Sequence, residues 1–351
     1  MKRSALALLA VLAVAIAACG SGSTTTTGGG DRADWPESLT FGFVPSREAE
    51  ELQDNVDVLA QILSDALDLD VTGIVSADYT ALGAALGNGQ AQIGALAPAN
   101  YVLAAREFDN IELLAQSVRF GSSTYHAQYF TNDPSICGAD PVEGQYDYDD
   151  EGNVAFFEPG DAPALQVGWN ADGTRQEGIS AGLVCPEPVD IGVIEGGRMA
   201  YGTETSTSGY IFPVLELNAK GLEEGVDYES FFSGSHDNSV LAVYNGDADF
   251  GVSFDDARNN VSEANPDVGE KVIVFNITAP IANDVIAVDA NLPDSLKDAI
   301  FQALVDYIST DEGQALMSTI YSWTDLTRAD ETTERSFELI ERAIDELGFD
   351  G

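Results

Sequence analysis

The chain is short of positive charge. Lysine and arginine together number 15 against 59 aspartates and glutamates, a formal net charge of −44, and lysine occurs only at Lys2, Lys220, Lys271 and Lys297. Nucleic acid is therefore not an expected partner, because binding a polyphosphate depends on clustered cations that release counterions. The acids are scattered along the chain and read as a solvated surface. Histidine is scarcer still, with only His126 and His236, and there are three cysteines without a Cys-x-x-Cys pair. A zinc site is not expected from that set, nor is any cofactor. Beyond the first 18 residues no apolar run approaches the roughly 20 residues that a bilayer core requires. The hydrophobic fraction is nonetheless 44%, enough for a real core over two lobes of ordinary domain size.

The first residues read as an export signal. Met1-Lys2-Arg3 is a short positive region, and the apolar run from Ala5 to Ala18 is too short to span a membrane. Ile16-Ala17-Ala18-Cys19, followed by Gly20, resembles a bacterial lipobox. That resemblance implies cleavage before Cys19, a lipid on its thiol, and an extracytoplasmic, membrane-anchored protein. The segment from Ser21 to Gly30 is a flexible polar tether. With Cys19 assigned, Cys137 and Cys185 form an even pair in an exported chain and are expected to make a disulfide.

Alternating strand and helix patterns predict an α/β body with mainly parallel pairing. Ser38 to Val44 alternates as a first strand, and Leu52, Val56, Leu59, Leu63 and Leu67 mark one apolar helical face. Further strands are predicted at Val71 to Val75, Ile93 to Ala97, Ile111 to Val118 and Tyr125 to Thr131, with helices at Tyr79 to Gly87 and Pro98 to Arg106. The stretch from Asn132 to Asp190, rich in Gly, Pro, Asp and Glu, breaks this rhythm. It reads as an insertion with its own hairpin, closed by Cys137 and Cys185. Its run Tyr146-Asp147-Tyr148-Asp149-Asp150-Glu151-Gly152 lacks the ligand spacing of a calcium loop. The regular pattern resumes at Ile191. Two segments, Gly87 to Gly94 and Asn245 to Gly251, share the order helix, tight turn, buried strand, one in each expected lobe.

The most informative stretch is Thr205-Ser206-Thr207-Ser208-Gly209-Tyr210, hydroxyl residues running into an apolar segment. Hydroxyl side chains cap helix starts, and a helix start offers free N–H groups and a positive dipole end. Such a place suits a tetrahedral oxyanion without lysine. An ordinary capped helix would show the same hexapeptide.

Around it the chain resembles the phosphonate- and phosphite-binding components of ABC importers, within the type 2 periplasmic binding proteins. The resemblance rests on Val44-Pro45-Ser46, Asp78-Tyr79, Ala97-Pro98-Ala99-Asn100-Tyr101-Val102, Ser206-Thr207-Ser208-Gly209-Tyr210, Gly234-Ser235-His236-Asp237 and Pro280-Ile281-Ala282-Asn283-Asp284. It implies two α/β lobes joined by two hinge strands, with lobe 1 at 36–131 plus 278–351 and lobe 2 at 132–277. It also implies a ligand set: Ser206, Thr207 and Ser208 as a hydroxyl clamp, His236 as a donor, Tyr79 and Tyr125 as cleft walls, and Asp284 as an acid in the site. Asp256 stands where some members carry an acid that meets a substrate ammonium. The insertion at 133–190 has no counterpart in the pattern.

The implied function is capture of a phosphonate, phosphite or phosphate by hinge closure and delivery to a membrane permease, by a monomer that breaks no bond. A carboxylate beside an oxyanion is repulsive unless a proton or cation lies between them. The acids therefore suggest a ligand that carries its own P–OH or ammonium, which excludes sulfate. Two readings of other classes are an exported phosphoester hydrolase using Ser206 or Ser208 with His236, and a sensor or adhesion module that uses the insertion. A hydroxyl cluster alone is not an activated nucleophile. Nothing in the pattern places Arg47, Arg119 or Arg198 in the cleft, and His126, pointing away from Tyr125 on a strand, reads as structural.

Overall fold

The structure is a computed structural model that describes residues 32–47, 49–159, 165–170 and 173–348. The export signal, Cys19 and the tether lie outside the described residues. Strands β1 (Ser38–Phe43), β2 (Asp70–Val75), β3 (Ile93–Leu96) and β4 (Ile111–Val118) begin one sheet. The chain then crosses through β5 (Thr124–Tyr125) into β6 (Ala127–Thr131), β7 (Val142–Glu143), a hairpin of β8 (Gln145–Tyr148) and β9 (Val154–Phe157), β10 (Leu183–Val184), β11 (Arg198–Tyr201), β12 (Glu229–Phe232), β13 (Phe250–Phe254) and β14 (Ile273–Ile277). It returns through β15 (Ile281–Ala282) to β16 (Val285–Asp289) and β17 (Asp325–Arg328). The first sheet has the order β17-β4-β16-β3-β1-β2 and the second β12-β11-β13-β6-β14-β10-β7.

Pairing is mixed where mainly parallel pairing was expected. The reason lies in the two crossings. A strand that enters a sheet from the opposite lobe runs against its neighbours, so β16 is antiparallel to β3 and β4, and β6 is antiparallel to β13 and β14. The βαβ units keep their parallel pairs, β1 with β2 and β3, and β11 with β12 and β13. Because β6 belongs to the second sheet, the first crossing falls at 119–126, earlier than the expected boundary at 131.

The predicted helical face is the one that folds the first lobe. Leu52, Val56, Leu59, Leu63 and Leu67 of helix α1 (Ala49–Leu67) are all buried in one core with Phe41, Phe43 and Leu82. Gly73 lets this helix lie close to β2, since a Cβ there would stand 2.5 Å from Val56 Cγ1. Helices α2 (Tyr79–Gly87) and α3 (Pro98–Glu107) flank the same sheet. In the second lobe, α4 (Phe212–Ala219) and α5 (His236–Asn245) do the same work over separate apolar clusters. The shared helix–turn–strand theme is observed in both lobes, as α2 leading to β3 and α5 leading to β13.

The crossings are tied to each other. β5 and β15 pair antiparallel, the Asn283 side chain donates to the carbonyls of Ser117 and Ser122, and Thr278 Oγ1 accepts the Ala127 N–H at 3.0 Å. The insertion does form its hairpin, and β7 and β10 extend the second sheet beyond β14. Its Asp-rich run is the hairpin turn, with Asp149 Oδ1 accepting the N–H groups of Glu151 and Asn153. Among the described residues no group of three or more His, Cys, Asp or Glu side chains is placed to hold a metal ion. Arg198–Tyr201 is a strand that hydrophobic patterning did not single out, while Ile191–Ile194 is a single 3-10 turn.

Cys137 and Cys185, 48 residues apart, form the expected disulfide. A cross-link over such a loop stabilises by about 4 kcal/mol in the chain-entropy model. Replacing both cysteines by serine is expected to lower the urea midpoint by a corresponding amount. Adding reductant to the intact protein should reproduce that shift and leave the double variant unchanged.

Candidate functional site: a polar cavity between the lobes

The hydroxyl stretch begins a helix, as its composition predicts, but through an unusual turn. Ser206 Oγ accepts the Gly209 N–H at 3.1 Å, and Thr207–Ile211 make one π-helical turn that runs into α4. Ile211 and Phe212 at the end of this turn are buried in the core of the first lobe. The turn is thus clamped between the lobes. Gly209 cannot be larger, because a Cβ would meet Ser206 Oγ at 2.8 Å and His236 Cε1 at 3.1 Å.

Four further predicted residues converge on it. Tyr79 stands beside Ser206 and Tyr125 beside Ser208, and all four line one cavity. Tyr79 opens α2, whose start is capped by Asp78 accepting the Ala81 N–H at 2.7 Å. Burial, reinforced by the Asp284 charge, raises both phenols well above their ordinary range, so they stay protonated donors. His236 opens α5, capped by Ser235. Its Nε2 lies 3.4 Å from Ser206 Oγ, and its ring stands edge-on to Phe254 at 4.9 Å. Its Nδ1 is buried without a hydrogen-bond partner. Burial, then the charges of Arg119 and Arg47, lower its pKa to about 3, so the imidazole is neutral. Asp284, just after β15, completes the set.

Between these side chains lies a small cavity, leaving about 30 Å³ for the centres of water-sized groups. That exceeds the room one water needs and suits a compact tetrahedral group. It borders a larger cleft of about 760 Å³, to which the insertion contributes Asp147 and Tyr148.

Two expected ligands are placed elsewhere. Thr207 faces away, its hydroxyl accepting the Ala99 N–H at the start of α3 at 3.0 Å, so it ties the lobes together. Asp256 is held bidentately by Arg258, Nε to Oδ1 at 2.9 Å and Nη2 to Oδ2 at 2.8 Å, with both side chains 1% exposed. With both oxygens engaged by a buried guanidinium, Asp256 borders the larger cleft and not the small cavity. His126 lies between Asp255 and Asp147, stacked on Tyr148, and lines the larger cleft, not the small cavity. Burial opposes its charge, but the Asp255 hydrogen bond and both carboxylates outweigh it and raise its pKa.

Sequence reasoning missed two arginines. Arg119 and Arg47 line the cavity, whereas Arg198 is on the surface over Phe231. Arg119 forms an ion pair with Asp284, and its guanidinium lies over the Tyr125 ring at 5.0 Å. The one usable signal was position: Arg119 directly follows β4, at the start of the loop that delivers Tyr125.

The chain also carries a Gly-x-Ser-x-Gly pentapeptide, Gly178-Ile179-Ser180-Ala181-Gly182. It lies in irregular backbone of the insertion, and the buried Ser180 Oγ has no hydrogen-bond partner to act as a base. It is not a strand-to-helix nucleophile elbow.

Two outcomes test this geometry. Asp256→Ala leaves the Arg258 charge buried and unpaired, so stability should fall by about 3–5 kcal/mol, measured by urea unfolding, while affinity for an oxyanion changes less than about threefold, well under the roughly 1.4 kcal/mol that a tenfold change represents. For His236, the folded pKa lies below the unfolded one of about 6.5. The unfolded state therefore binds the extra proton, and stability contributed by the neutral ring is lost as pH falls from about 6.5 towards 3. His236→Gln should flatten this decline; an unchanged pH–stability curve would show that the ring is charged or solvated in the folded protein.

Comparison with known proteins gives the family. The family described as "ABC transporter, phosphonate, periplasmic substrate-binding protein" matches residues 41–333. The phosphate-import protein PhnD of Mycolicibacterium smegmatis is 23% identical over 223 residues, which cover 63% of this chain and 56% of that protein, so the chain spans little more than half its length. Among solved structures, PhnD1 of Prochlorococcus marinus in complex with methylphosphonate aligns with a TM-score of 0.67 at 16% identity, covering 89% of this chain and 98% of that one. A binding protein component of an ABC phosphonate transporter from Pseudomonas aeruginosa aligns with a TM-score of 0.64 at 15% identity, covering 88% of each chain. The two-lobed fold is that of the type 2 periplasmic binding proteins, and the chain belongs to the family of periplasmic substrate-binding proteins of phosphonate ABC transporters.

Proposed function

We propose that this chain captures a small phosphorus oxyanion between its lobes and presents it to a membrane permease, anchored outside the cytoplasm by a lipid on Cys19. The observation that carries this reading is the convergence of the Tyr79, Tyr125, Ser206, Ser208 and His236 polar groups on one cavity of tetrahedral-anion size. All are neutral donors at physiological pH, and they come from both lobes, so only the closed state assembles them. A relative solved with methylphosphonate and one that imports phosphate fit the same ligand class.

No bond need be broken for this task. A hydrolase would require a base oriented by a third group, and the Nδ1 of His236 has no such partner. A sensor or adhesion role for the insertion has no observation in its favour, since the insertion serves as an extension of the second sheet and a wall of the outer cleft.

Calorimetric titration of the soluble body with phosphate, phosphite, methylphosphonate and 2-aminoethylphosphonate tests the reading. Heat of binding is expected with at least one. Ser206→Ala and Ser208→Ala should each weaken it about tenfold, the loss of one hydrogen bond to a charged group. Silence with all four ligands would overturn the proposal.

A further inference from the structure

The sequence suggested a ligand that brings its own proton, because Asp284 would otherwise repel it. The arrangement around Asp284 points the other way. Its carboxylate is ion-paired with Arg119, and Trp323 Nε1 approaches the same oxygen at 3.5 Å. The side chains of both members of the pair are only 13% exposed, so water screens the pairing little. Arg119 also has a donor to spare: its Nε is buried and has no hydrogen-bond partner, as is true of His236 Nδ1. Both atoms belong to residues that line the small cavity.

We propose that Arg119 is a specificity-determining residue, which by neutralising Asp284 lets the cavity take fully ionised tetrahedral oxyanions that carry no proton of their own. The chemical class is set by shape and charge: a compact XO₃ or XO₄ group, with sulfate and the methylphosphonate dianion as its simplest members. This inference rests on the oxyanion reading of the cavity. The groups that face Arg119 are Asp284, Tyr125, Asp255 and, as a second cation, Arg47. Burial opposes the Arg119 charge, but Asp284 leads the groups that outweigh it, so the guanidinium is charged at every pH of interest. The neutral phenols and imidazole then supply hydrogen bonds without altering the charge count.

Proton counting provides the test. Affinities of the intact soluble protein for methylphosphonate and for sulfate are measured by calorimetry from pH 5.5 to 8.5. Wild type is expected to bind sulfate, and to keep its methylphosphonate affinity as the ligand loses its second and last proton. In Arg119→Gln the buried Asp284 loses its ion-pair partner, so the complex must take up one proton. Its methylphosphonate affinity should then fall about tenfold per pH unit above the ligand's second pKa, and sulfate affinity should drop at least tenfold at pH 8.5. Arg119→Gln combined with Asp284→Asn removes both charges and should restore the flat methylphosphonate profile, which separates charge balance from damage to the fold. Wild type that binds methylphosphonate only in its protonated form and ignores sulfate would overturn this inference while leaving the oxyanion reading intact. So would an Arg119→Gln variant with the wild-type pH profile, or a double variant that keeps the tenfold-per-unit fall. Failure of wild type to bind any oxyanion defeats both.

Discussion

The ion pair of Arg119 with Asp284 is the interaction around which the site is arranged. Arg119 begins one crossing between the lobes, just after β4, and Asp284 ends the other, just before β16, and the two crossings are stitched together beside them by Asn283. The pair stands beside the hinge crossings and, on the proposed function, sets the charge that an anion meets. A buried pair of this kind adds little net stability over an apolar substitute, because desolvation offsets most of the attraction. Its retention is better understood through the cavity that it borders.

Much of this was legible in the sequence. The apolar face of α1, the βαβ units and the hairpin of the insertion follow from periodicity and turn chemistry, which act over a few residues. The Thr205–Tyr210 stretch announced a capped helix start, and resemblance to a family joined it to Tyr79, Tyr125, His236 and Asp284, all of which meet at one cavity. What was not legible depends on contacts between distant segments. Thr207 looks equivalent to its serine neighbours, yet the register of the turn sends it to the Ala99 N–H. Asp256 and Arg258 are two residues apart, but only the fold shows that their charges are closed on each other. Arg119 carries no local pattern, because an arginine just after a strand is ordinary until its partner, 165 residues later, is known. The mixed sheets have the same origin, since strand direction at a crossing is decided by the path of the whole chain.

On the proposed function, the neutral donor set accounts for how so acidic a protein would hold an anion. The many surface carboxylates are exposed and screened by salt beyond about 8–10 Å, whereas the cavity is lined by phenols, hydroxyls, a neutral imidazole, two arginines and Asp284, which is paired with one of them. Long-range field and local chemistry are thus decoupled: the first bears on the rate of arrival, the second on retention.

The last helix, Glu338–Leu347, lies against α3 of the first lobe and against the π-helical turn and α4 of the second, with Ile340, Ala343 and Ile344 buried. It is a third link between the lobes that does not pass through the crossings. Two hinge strands by themselves leave a clam-shell free to swing. A strut laid across its back converts the swing into a sliding motion, in which one face of the helix must be peeled away before the mouth can widen. On the proposed function, ligand exchange then requires the aliphatic contacts of Ile340, Ala343 and Ile344 to shift as well.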